Sequence, residues 1–127
     1  MLSKNTKPNA EEKAWLKAVA DFHNEHGVGY LFGDMWNDAP FQVHHVCGRS
    51  YKHNKVKIGH WFILPAPQQL HDVHSSHPLN VTHYRKRFSE AFGNQRYLWR
   101  KMVEKMAEHG IAEPESDIIN VIMLTKY

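Results

Sequence analysis

Cysteine is nearly absent from this chain. Cys47 is the single one in 127 residues, so no internal disulfide can staple the fold and no four-thiolate zinc site can form. No window holds the roughly 18 unbroken apolar residues that a membrane helix needs, and no secretory leader precedes the first helical pattern. The expectation is a cytoplasmic protein with no membrane partner. A strong charge bias is lacking too. Sixteen Lys and Arg against 13 Asp and Glu leave +3 with histidine neutral, too slight an excess to name a polyanionic partner by itself. No repeat, low-complexity stretch or linker divides the sequence, so one domain over residues 1–127 is expected. Hydrophobic residues at 42% and charged residues at 23% are enough for an ordinary core.

Histidine, by contrast, is abundant. There are 11, and His44, His45, His53, His60, His71, His74, His77 and His83 all fall in one stretch of the chain. A buried imidazole demands hydrogen-bond partners, so histidine is seldom used in bulk for packing. Such clustering points to metal ligation, acid–base work or phosphate contact.

Helical spacing of Ala14, Trp15, Ala18, Val19 and Phe22 predicts a helix from Ala10 to about Glu25, capped by Asn9 and stopped by Gly27 and Gly29. Residues 30–40 read as an ordered aromatic loop. Phe41 to Cys47 (FQVHHVC) predicts a short strand, and Gly48 to Lys57 a basic loop carrying Arg49, Lys52, Lys55 and Lys57. Ile58 to Leu64 predicts a second strand closed by Pro65 and Pro67, followed by a helix from about Gln68 to Ser75 with His71 and His74 on one side. Tyr84, Phe88 and Phe92 predict a helix that Gly93 interrupts. Leu98, Met102 and Met106 mark another from Arg96 to His109, ended by Gly110. Ser116 can cap a last short helix, although IINVIML also fits a buried strand. Trp15, Phe22, Phe88, Phe92, Leu98 and Met102 are the expected core, and Cys47 is expected to be a buried small hydrophobe. The fold class is α+β: two strands, a long loop and a short helix, flanked by helices from both ends of the chain.

Hydrolysis of a phosphodiester needs a deprotonated water, a cation for developing charge and basic groups to hold the backbone. Residues 42–77 offer all three. The run HHVCGRS, the basic loop, IGHWFILP and LHDVHSSH together resemble the His-Me finger (HNH) nuclease motif. Downstream, RKRFSEAFGNQRYLW is similar to the segment that follows this motif in phage recombination-enhancement nucleases of the RecA-dependent type. The likeness spans about Phe41 to Met106. It implies a ββα-metal unit at about 41–77 and a DNA endonuclease of a phage or prophage in a bacterial cytoplasm, with DNA and a RecA filament as partners. It also implies His45 as general base, His44 and His71 as metal ligands, and Arg49 as a phosphate contact. His77 or His74 would supply the third ligand. One divalent ion is implied, Mg or Mn for turnover, with Zn also suited to imidazole ligands.

Two departures from the family pattern stand out. The cysteines that bind a structural zinc in many relatives are missing, since PAPQQLH occupies that stretch. The middle asparagine is not evident either. Asn54 lies in the loop, and His60 or Trp61 stands where relatives carry Asn. Asp72 is a candidate to orient a ligand histidine. A non-catalytic, metal-stabilised DNA-binding or recombination-accessory protein is the alternative reading. For a neutral His45 base, activity is expected to fall below about pH 6.5.

Overall fold

The computed structural model describes residues 7–127. Helix α1 runs over Ala10–His26 and opens with a reciprocal capping box. Asn9 accepts the Glu12 amide, and Glu12 accepts the Asn9 amide, both at 2.8 Å, so two otherwise orphaned donors are satisfied. Gly27, at φ 76°, ends the helix. Gly29 does not continue the break. It opens a one-turn helix, α2 (Gly29–Phe32), and a 3-10 turn over Asp34–Trp36 follows.

The chain then builds an antiparallel pair, β1 (Phe41–His45) with β4 (Ile63–Pro67), in the register His44 opposite Leu64 and His45 opposite Ile63. Between them lies a small hairpin, β2 (Lys52–His53) with β3 (Val56–Lys57). Its two turn residues, Asn54 at φ 49° and Lys55 at φ 65°, are both left-handed, the geometry that matches the twist of a two-residue hairpin.

The second strand starts and ends later than its apolar run suggests. Ile58 to Phe62 is a tight turn, with the Trp61 and Phe62 amides donating to the Ile58 carbonyl at 3.0 and 2.8 Å. The prolines expected to close the strand sit inside it. Backbone bonds from Val46 to Phe62 and from Gln68 to Pro40 fix even-numbered residues as the hydrogen-bonded pairs. Pro65 and Pro67 therefore occupy positions whose nitrogens face away from β1, on an edge where no donor is needed.

Helix α3 is a single turn, Gln68–His71, and not the two turns to Ser75 that the sequence pattern suggests. Asp72 is extended (ψ 133°), and its carboxylate accepts the His74 amide at 2.8 Å. The buried Asn80 side chain takes the carbonyls of Gln69 and Asp72 at 3.1 and 2.9 Å. Local side-chain bonds thus replace the next helical turn.

Helices α4 (Arg85–Phe92), α5 (Gln95–Glu108) and α6 (Ser116–Met123) complete the α+β chain. The final apolar run is therefore helical, with Glu115 at its N-cap and Ser116 as its first residue. One apolar cluster draws on Trp15 and Phe22 of α1, Ile63 and Leu64 of β4, Phe88 of α4, Met102 and Met106 of α5 and Ile122 of α6. Phe92 is only half-buried against that cluster. Cys47 is half-buried as well, and burial pushes its thiol up to about 12. No helix among the described residues is long and apolar enough to cross a membrane.

Candidate functional site

Neighbouring residues on a strand face opposite sides, and the end of β1 presents a histidine to each. On one side His44 meets His71 from α3, their ring centroids 4.8 Å apart. Residues i and i+2 share a strand face, so Gln42 lies beside them. Its Oε1 accepts the His71 Nδ1–H at 2.6 Å, and its amide nitrogen donates to Asp72 at 3.2 Å. A carboxylate only accepts, so Asp72 fixes which end of the Gln42 amide faces His71. His44 Nε2–H donates at 2.8 Å to Oε1 of Gln95, a side chain that is 1% exposed at the start of α5.

Each imidazole therefore has one nitrogen tied to an amide oxygen. In the neutral ring the lone pair is left on His44 Nδ1 and His71 Nε2. Outer partners of this kind hold the tautomer and orientation that metal-ligating histidines use. Burial, then the neighbouring His71 ring, pushes His44 down to about 4, against the Gln95 bond. Burial also lowers His71, with Asp72 opposing. Both rings are neutral at ordinary pH, as ligation requires.

His45 faces the other way. Its Nε2 lies 3.1 Å from Nδ1 of His60, with the rings edge-on at 5.1 Å. His60 is 2% exposed and occupies the turn before β4. That turn is pinned from both flanks, because the Trp61 carbonyl accepts Trp15 Nε1–H at 3.1 Å and Trp99 Nε1–H at 2.8 Å. Burial, then His60, Arg49 and His71, pushes His45 down to about 4. Its neutral form therefore persists below the ordinary imidazole range. Arg49 is exposed on the loop just after β1, close enough to bear on His45.

His74 and His77 lie in the loop beyond α3. His74 is exposed. His77 packs edge-on against Trp36 at 5.5 Å, and its Nδ1 accepts the Leu79 amide at 3.1 Å. Both line a cleft of about 710 Å³ together with Trp36, Pro40, Gln69 and Asp72, and neither bonds to or stacks on His44 or His71. Among the described residues, no three His, Cys, Asp or Glu side chains are grouped to hold a metal ion. The donor chemistry fits a divalent cation with two imidazoles and its other positions open.

The remaining histidines have other partners. His53 stacks on Tyr51 at 6.4 Å, and His83 Nε2–H donates to the Val73 carbonyl at 2.7 Å. Asn54 serves the hairpin turn. Gln42 and Gln95 were not among the residues singled out from the sequence. Alternation along β1 offers a signal for Gln42, and nothing local offers one for Gln95. Set against known protein families, curated proteins and solved structures, the chain matches none of them.

Proposed function

We propose that this chain is a metal-dependent DNA endonuclease in which β1, β4 and α3 act as a ββα unit of the His-Me finger (HNH) type. The observation that carries the reading is the pair of neutral, outer-bonded imidazoles of His44 and His71 at 4.8 Å, with His45 the next residue of β1 and close enough for the His71 charge to bear on it. His44 Nδ1 and His71 Nε2 would hold one divalent ion, Mg or Mn for turnover, with Zn as another ion they suit. Such an ion, when bound, supplies positive charge for the phosphoryl oxygens.

His45 takes the proton from the attacking water. Donation of its Nε2–H to His60 leaves the lone pair on Nδ1, the atom that accepts that proton. His60 then acts as the orienting partner of the base, in the region where relatives of the resembled family carry asparagine. Arg49 contacts the phosphate. A third protein ligand from His77 or His74 requires the loop after α3 to move toward His71. A RecA filament as partner comes from the sequence resemblance alone.

Plasmid nicking in Mg or Mn, compared between the native chain and His45→Ala, tests the assignment. Loss of the base is expected to slow cutting by about 100-fold or more. Equal cutting by both would overturn the role of His45. The pairing of only two candidate ligands favours a second reading, a metal-stabilised DNA-binding or recombination-accessory module without turnover. Metal uptake and DNA binding with no nicking under any of these ions would select it.

A further inference from the structure

The last residues of the chain draw several elements to one surface. Arg96 Nη1 donates to the Thr125 carbonyl at 2.9 Å. The Arg85 guanidinium lies 4.6 Å from the Tyr127 ring centroid. Tyr127 in turn meets Tyr51 edge-on at 6.5 Å, and Tyr51 stacks on His53 of β2. On the flanks, Arg87 covers Tyr84 at 4.5 Å and Arg96 covers Tyr97 at 4.8 Å. Tyr51 and Tyr127 thus lead from the β2–β3 hairpin to Arg85 at the start of α4, and the Thr125 bond ties Arg96 at the start of α5 to the same terminal segment.

The charges on this strip have no carboxylate partners. Among the described residues, Arg85, Lys86, Arg87 and Arg96 form no ion pair with Asp or Glu. Three of them crowd the first turn of α4, which contains no acidic residue. The helix dipole disfavours cations there. Cation–π contacts to Tyr127 and Tyr84 offset part of that cost within the fold, and an anionic ligand would relieve the rest. Tyr84 is 39% and Tyr97 55% exposed, so the rings are as open to a ligand as the charges.

We infer that this strip binds single-stranded nucleic acid, its arginines and lysines meeting phosphates while its tyrosines stack on unpaired bases. A duplex could satisfy the cations but would leave the rings idle, because its bases already stack on one another. A guanidinium lying on a tyrosine face holds the place of a base, and transfer of that guanidinium to a phosphate frees the ring. Stacking of this kind tolerates any sequence, because every base has a π face. Along the chain the strip adjoins the candidate centre twice, at Arg96, next to the Gln95 that holds His44, and at Tyr51, two residues after the Arg49 that bears on His45.

The inference deepens the nuclease reading by naming its substrate class, and it rests on that reading only for where the scissile bond falls. Fluorescence anisotropy of the full chain in EDTA, with a labelled short DNA as single strand and as duplex, tests binding without turnover. Single-strand binding tighter by about tenfold or more is expected. Tyr84→Ala with Tyr97→Ala should remove most of that preference and leave duplex binding unchanged. Lys86→Glu with Arg87→Glu should weaken both. All four positions are exposed, and circular dichroism checks that these variants fold. Duplex binding as tight as single-strand binding, or a tyrosine variant that binds like the native chain, would overturn the inference. His45→Ala should bind normally, and a native chain that nicks nothing while keeping the single-strand preference would count against the nuclease reading alone.

Discussion

Gln42 joins His71 to Asp72 through the two ends of one amide, accepting at 2.6 Å and donating at 3.2 Å. The carboxylate thereby sets the tautomer of the neighbouring histidine through the glutamine. Gln42→Met keeps a side chain of similar length on the strand and removes both bonds. Binding of Zn or Mn, followed by titration calorimetry, is expected to weaken by about 10- to 100-fold, the usual loss when an outer partner of a ligand histidine is removed. Affinity equal to that of the native chain would show that the tie contributes nothing to metal binding.

Gln95 performs the corresponding task for His44, but from inside the protein. Its side chain is 1% exposed, so Gln95→Leu preserves volume while leaving the His44 Nε2–H without its acceptor. An unpaired buried donor costs about 1–3 kcal/mol. Urea unfolding should register a loss of that order even with no metal present. An unchanged midpoint would mean that His44 finds another acceptor.

The two glutamines also show what could be read from the chain and what could not. Trp15, Phe22, Leu98 and Met102 announce themselves by helical spacing, and the structure buries all four. The histidines announce themselves by number. The partners of those histidines do not, because Gln95 lies 51 positions from His44 and only tertiary packing brings it there. Strand limits fail for a physical reason too. Proline is ordinarily a strand terminator, but β4 has a single neighbour and offers an edge where its missing N–H goes unnoticed. The length of α3 is decided by Asp72 and Asn80, whose side-chain bonds to nearby backbone are invisible to helical periodicity.

Acid should destabilise the protein through groups that are buried neutral. His23 is 2% exposed, donates from Nδ1 to the Val19 carbonyl and accepts the Tyr30 hydroxyl at Nε2, both at 2.6 Å. Burial pushes it from 6.5 to about 4 against the Val19 bond, with His26 pushing the same way. The unfolded chain therefore binds a proton below 6.5 that the fold refuses until about 4. Its contribution is complete above the unfolded value and is lost as pH falls through that window. The shift corresponds to ~3 kcal/mol, and His44 and His45 add in the same direction. Urea midpoints measured from neutral pH to about 4 should fall steadily, and less steeply for His23→Gln. A flat profile would contradict the buried neutral state.

Gly59 permits the contact that places the His60 turn against the loop after β1. A Cβ built on it would sit 2.2 Å from the Arg49 carbonyl oxygen and 2.5 Å from that of Gly48. Both obstacles are backbone, so a side-chain rotation cannot relieve the clash. Either the turn carrying His60 or the loop carrying Arg49 must move. The turn is held by two indole bonds to Trp61, whereas Gly48 and Arg49 are exposed, so the loop should give way. Gly59→Ala is therefore expected to cost about 2–4 kcal/mol of stability and to shift Arg49 away from His45 while the His45–His60 contact survives. Histidine ring resonances in NMR spectra would separate the two halves of that expectation. Retained His60 signals beside a displaced Arg49 side chain fit the loop moving. A native melting temperature would mean that the close approach is not what requires glycine.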